Sequence, residues 1–166
     1  MVVLVMGTTG AGKTTVGKLV AARLNWTFLD ADDFHPPANI EKMKHGIPLT
    51  DADREPWLAS IHSRLQQLSA EENNAVLACS ALKQSYRDAL SAGLDFRIVY
   101  LRGTYEQMRK HILARHGHFA GESILAGQFA DLEEPTDALA LEVAGTPGDI
   151  ASQAIAGLGL SPDPGD

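Results

Sequence analysis

The chain has 166 residues, 45% of them hydrophobic and 21% charged, with one cysteine and a formal net charge of −7. A chain near this length buries about 70% of its unfolded surface around one core without disulfides or a structural metal, so a single domain, 1–166, is expected. Unpaired Cys79 excludes a disulfide framework and fits a reducing cytoplasm, the acidic balance excludes a general nucleic-acid binder, and no apolar run approaches the roughly 18 residues that span a bilayer.

The opening run Met1-Val2-Val3-Leu4-Val5-Met6 lacks a basic leader and enters a glycine loop directly, so it is expected to be a buried strand and not a signal peptide. Similar runs recur at Trp26 to Leu29, Ala75 to Cys79 and Phe96 to Leu101, separated by helix-length amphipathic stretches. That alternation predicts a parallel sheet covered by helices on both faces. Helices are expected over Thr14 to Leu24, from Thr50 or Asp51 through Trp57, Ile61 and Leu65, over Gln84 to Leu90, and over Tyr105 to Arg115. Leu141 to Ala144 is expected to add a fifth strand, followed by a last helix from Asp149 to Ala156 and a frayed tail over 159–166.

Gly7-Thr8-Thr9-Gly10-Ala11-Gly12-Lys13-Thr14 sits between the first strand and the first helix. Its two glycines five positions apart, followed by Lys and Thr, form a phosphate-binding loop whose N–H groups curl around phosphate oxygens at a helix N-terminus. Lys13 would bridge the β and γ phosphates, Thr14 would offer its hydroxyl to Mg²⁺, and Thr15 would reach the α phosphate. A P-loop alone does not define a reaction. The short chain leaves little room for the base-reading loops of a switch GTPase. The next acidic cluster also comes too early for the distal metal motif of motor ATPases.

That cluster is Asp30-Ala31-Asp32-Asp33, at the end of the second strand. In extended chain Asp30 and Asp32 project to one side, at the carboxyl edge where open α/β sheets bind ligands. Such a pair can hold metal waters and orient or deprotonate an alcohol. Lys83 and Arg87, four apart on a predicted helix, are expected to share one side and read either as partners for an anionic substrate or as a solvated basic face. His35, before Pro36-Pro37, is expected to fix the loop beneath the acidic pair.

Several segments together resemble the gluconokinase family of small P-loop sugar-acid kinases, relatives of shikimate kinase within the nucleoside-monophosphate-kinase-like fold. They are Asp30 to Met43, Gly46 to Leu58, Ala78 to Asp88, Gly117-His118-Phe119 and Gln128 to Pro135. The resemblance implies a three-layer P-loop fold, a five-stranded parallel sheet and a lid over about 116–130. It implies phosphate transfer from ATP to the 6-hydroxyl of D-gluconate with Mg²⁺ required, and a homodimer. By position it gives Asp30 the metal, Asp32 the acceptor hydroxyl and Arg54 the substrate carboxylate; His35, Lys83 and Arg87 are expected as further substrate residues. The other reading of Arg54 is an ion pair or cap at the start of its helix. A guanidinium suits the first role because it binds a carboxylate bidentately.

In this fold the basic segment after the fourth strand closes over ATP, so Arg109 and Arg115 are expected at the nucleotide, with Arg115 at the transferring phosphoryl group. The family's paired basic residues predict an Arg where this chain has His111. Either Arg109 substitutes from its neighbouring position or Arg115 acts without a companion. Two other readings stay open: a kinase for a different sugar acid, and a nucleotide-binding regulator without catalysis.

Overall fold

The computed structural model describes residues 1–116 and 122–162. Thus Gly117-His118-Phe119, Ala120-Gly121 and the last four residues, expected in the lid and tail, lie outside the described residues.

Five parallel strands form one sheet in the order β2-β3-β1-β4-β5. They are β1 (Val2–Met6), β2 (Thr27–Asp30), β3 (Ala75–Ala78), β4 (Phe96–Arg102) and β5 (Leu139–Glu142). The helices are α1 (Lys13–Leu24), α2 (Pro37–Lys44), α3 (Asp51–Ala70), α4 (Gln84–Ser91), α5 (Tyr105–His116), α6 (Glu122–Asp131) and α7 (Pro147–Gly157). β1 lies at the centre and all five of its residues are buried. Its side chains alternate between two separate cores, as the period of two requires. Val3 and Val5 pack with Val76, Val99 and Leu101 against α1, α5, α6 and α7. Val2, Leu4 and Met6 pack with Leu77, Ile98 and Tyr100 against α3 and α4.

Helix ends follow local chemistry. Thr50 caps α3 in a reciprocal box with Asp53, and Thr146 caps α7 in the same way with Asp149. The Asp53 carboxyl is held down at about 2, first by the Lys42 hydrogen bond and then by the Thr50 backbone N–H. α7 closes on Gly159 (φ +67), with Leu160 N–H donating to Ile155 O at 3.0 Å. Residues 159 and 160 therefore belong to a helix cap, a correction to the expected start of the tail.

The fifth strand lies two residues before its expected span, because only alternate residues of this edge strand face the core. Three elements were not expected: α2, in which only Asn39 is buried, the short 3-10 turn Ala31–Phe34, and α6, whose span was expected only as part of the lid. The parallel register sets Asp30 beside Ala78, and Ala78 beside Val5. Three strand ends thus open onto one edge, where the phosphate loop begins. No helix among the described residues is long and apolar enough to cross a membrane.

Candidate active site

A cavity of about 600 Å³ opens at this edge. The phosphate loop forms one wall, from Thr9 and Gly10 through Gly12, Lys13, Thr14 and Thr15, while Gly7, Thr8 and Ala11 lie behind it as the loop's buried root. Gly12 caps α1 at φ +86, and Gly10 has φ +85. A Cβ on Gly10 would come within 2.8 Å of Met108 O, so the loop can approach α5 only with glycine there. Lys13 Nζ donates to Thr8 O at 3.0 Å. Burial pulls the Lys13 ammonium below its usual range, while Asp32 and Asp30 oppose the shift.

Asp30 and Asp32 both line the cavity, though not as residues of one extended strand. The chain turns into the 3-10 segment directly after Asp30, whose Oδ1 accepts from Asp32 N–H at 3.0 Å. Its Oδ2 accepts from Thr14 Oγ1 at 3.1 Å, which links the second strand to the start of α1. Thr14 and Asp30 thus converge as hard oxygen donors of the kind Mg²⁺ takes together with nucleotide phosphates. Burial raises the Asp32 carboxyl above its usual range, and the neighbouring Asp30 adds to this.

His35 stacks on Trp57 with ring centroids 4.5 Å apart, and Trp57 Nε1 donates to Ala31 O at 2.7 Å, which braces the turn that carries Asp32. Burial lowers the His35 imidazole, with Asp32 opposing and Arg54 reinforcing the shift. Arg54 donates to Leu49 O at 2.9 Å and to Tyr86 Oη at 3.3 Å, and it lies 3.8 Å from Asp51. Lys83 pairs with the same Asp51 at 3.2 Å, and both cations lie over the Tyr86 ring. Asp51 also accepts from Tyr86 Oη.

Lys83 and Arg87 do not share a side. Lys83 precedes α4 as its cap, whereas Arg87 is only 2% exposed. The Arg87 guanidinium donates to Ala81 O at 2.7 Å, Leu82 O at 3.1 Å and Glu133 O at 2.8 Å. Ala81 has φ +46, and this tight loop turns its carbonyls inward, where only a buried donor can satisfy them. Arg87 is therefore a clamp between the β3–α4 loop and the segment after α6, a correction to its expected place at the substrate. Arg87→Met should cost roughly 3 kcal/mol of stability, as three carbonyls lose a charged donor. Urea denaturation measures it, and an unchanged midpoint would refute the clamp.

Arg115 lines the cavity. Arg109 does not; its Nε donates to Glu122 Oε1 at 2.9 Å and ties α5 to α6, a correction to its expected place at the nucleotide. His111 Nδ1 donates to Gly10 O at 2.8 Å, so the position where an Arg was expected fastens α5 to the phosphate loop. Ser80 and Gln128 also line the cavity and were not foreseen. The signal for Ser80 was its place just past a strand's carboxyl end; Gln128 lay inside a family segment without an assigned role.

A parallel sheet with a phosphate loop after its central strand, and a converging pair of oxygens beside a second carboxylate, defines a small P-loop kinase. The shikimate kinase family profile matches residues 9–121. Gluconobacter oxydans gluconokinase is 47% identical over 135 residues, covering 81% of this chain and 76% of that protein. A probable gluconokinase of Rattus norvegicus is 44% identical over 154 residues, with 81% and 83% covered. The crystal structure of a gluconokinase from Sinorhizobium meliloti superposes with a TM-score of 0.85 at 41% identity, covering 95% of this chain and 90% of that one. The chain belongs to the gluconokinase family, ATP-dependent sugar-acid kinases on the shikimate-kinase-like fold.

Proposed function

We propose that the protein transfers the γ-phosphoryl group of ATP to the 6-hydroxyl of D-gluconate, giving 6-phospho-D-gluconate and ADP. The observation that carries this is the convergence of Lys13, Thr14, Asp30, Asp32 and Arg115 on one cavity, in a chain of this family. The loop N–H groups and Lys13 hold the β and γ phosphates. Thr14 and Asp30 would hold Mg²⁺, which when bound neutralises charge on the phosphate oxygens. Asp32 accepts the proton of the 6-hydroxyl as that oxygen bonds to the γ phosphorus and the bond to the β–γ bridging oxygen breaks. Its raised carboxyl suits this, because a base works best when its own proton affinity approaches the working pH. Arg115 faces the charge on the transferring group, and Arg54 with Lys83 receives the gluconate carboxylate.

Coupled ADP release tests the reading. Turnover is expected with D-gluconate and absent with shikimate or AMP; turnover on either of those and none on gluconate would refute it. Arg54→Ala should raise the KM for gluconate by roughly 10- to 100-fold, the scale of one charge-assisted carboxylate contact, with little change in kcat. Equal weakening of ATP would refute the carboxylate assignment. A cytoplasmic setting and a homodimer belong to the same proposal. The unpaired thiol of Cys79 supports the first. Exposed Ile40 and Met43 on α2, with nearby Ile47, offer an apolar surface for the second, and light scattering measures the mass in solution.

A further inference from the structure

Gln128 is the residue of α6 that lines the cavity, and nothing in the transfer chemistry above uses it. Its Oε1 accepts from Thr9 N–H at 2.6 Å. The other face of that same peptide unit, Thr8 O, accepts from Lys13 Nζ. One peptide group of the phosphate loop is therefore held between the ammonium that bridges the β and γ phosphates and a carboxamide from the lid helix. This sets Gln128 at the γ end of the loop, away from Thr15 and the α phosphate.

The helix that carries Gln128 is fixed to α5 in three ways. Leu125 is fully buried, Phe129 meets Tyr105 edge to face at 5.6 Å, and Glu122 pairs with Arg109. The side chain is thus held in place before any ligand arrives. A carboxamide has an accepting and a donating end. The accepting end is taken by Thr9, and the donating Nε2 makes no hydrogen bond to a described residue.

We propose that Gln128 is a γ-phosphate ligand: with Oε1 on the Thr9 N–H, its Nε2 donates to a γ-phosphoryl oxygen, so that the lid helix engages ATP and not ADP. This rests on reading the cavity as the ATP site. It requires no movement of the phosphate loop, and it makes the lid sensitive to the phosphoryl group that is about to be transferred.

Calorimetry in Mg²⁺ buffer, without acceptor, compares ADP with the β,γ-imido analogue of ATP on the wild-type protein, Gln128→Ala and Gln128→Glu. Gln128→Ala should bind the analogue about tenfold more weakly and change ADP by less than about twofold, the size of one hydrogen bond to a charged group. Gln128→Glu keeps an oxygen toward Thr9 but sets a negative charge against the γ phosphate, so its loss for the analogue should be larger still. Equal loss for both nucleotides, or none, would overturn the proposal. Tighter binding of either would also overturn it, because the carboxamide would then be a plug that phosphate must displace. A wild-type protein that binds neither nucleotide would instead refute the ATP site itself.

Discussion

Lys13→Ala lowers kcat by roughly 10³-fold or more, a loss at least as large as that of one preorganised donor at developing charge. The folded state should survive the change. Lys13 lies in the cavity wall, and its ammonium holds only a loop carbonyl, with burial working against its charge. Truncation therefore removes a desolvated cation from the protein and leaves both cores intact. Lys13→Arg should not restore activity, because a planar fork cannot replace a compact ammonium beneath the loop. Steady-state kinetics beside a thermal melt separates the two effects. A variant that keeps more than about a tenth of wild-type kcat would take Lys13 away from the transferring group.

Asp32→Asn should lower kcat by about 10²- to 10⁴-fold, the usual contribution of a positioned general base, and at the same time raise Tm. The folded carboxyl titrates above its unfolded value because of burial and Asp30. Below the unfolded value both states are protonated and the folded protein carries no penalty. As pH rises through the folded value, that advantage is lost, since the folded state must then hold a buried charge beside a second one. Asparagine cannot ionise, so the variant keeps at neutral pH what the wild type has only in acid. Melting curves of the two proteins should converge at low pH and separate toward neutrality, with Asp32→Asn the more stable. The acid limb of the wild-type kcat/KM profile should likewise lie above the ordinary carboxylate range. A limb within that range, or unchanged turnover in Asp32→Asn, would remove Asp32 from the proton transfer.

Continuous apolar runs made β1, β3 and β4 readable, because a central parallel strand is covered on both faces: all of β1 and β3 and the Ile98 to Leu101 run of β4 are buried. The edge strand β5 was misplaced for the converse reason. The phosphate loop and the acidic pair could be located because their chemistry depends on residue type at fixed short spacing. The way Asp30 and Asp32 converge could not, since the chain leaves the extended conformation directly after Asp30 and exchanges alternation for a tight turn. Lys83 and Arg87 show a second limit: Lys83 only caps the helix expected from Gln84, so a spacing of four does not set the two on one side. Nor does it reveal that three carbonyls wait for the second. The contacts of Asp51, His111 and Gln128 join segments far apart in the chain, and no local pattern announces them.

On the proposed reading of the site, the two cores divided by the sheet also divide the two substrates. The layer of α1, α5, α6 and α7 carries the phosphate loop's helix, Arg115 and Gln128, while the layer of α3 and α4 supports Trp57, Arg54, Tyr86 and the turn with Asp32. β2 joins the two, since its Asp30 holds Thr14 of α1 while the turn after it carries Asp32. Substitutions that repack the α3–α4 layer can therefore retune the acceptor while donor recognition is inherited unchanged. The scaffold is modular across its thickness, with the sheet as a firewall between two independently adjustable specificities.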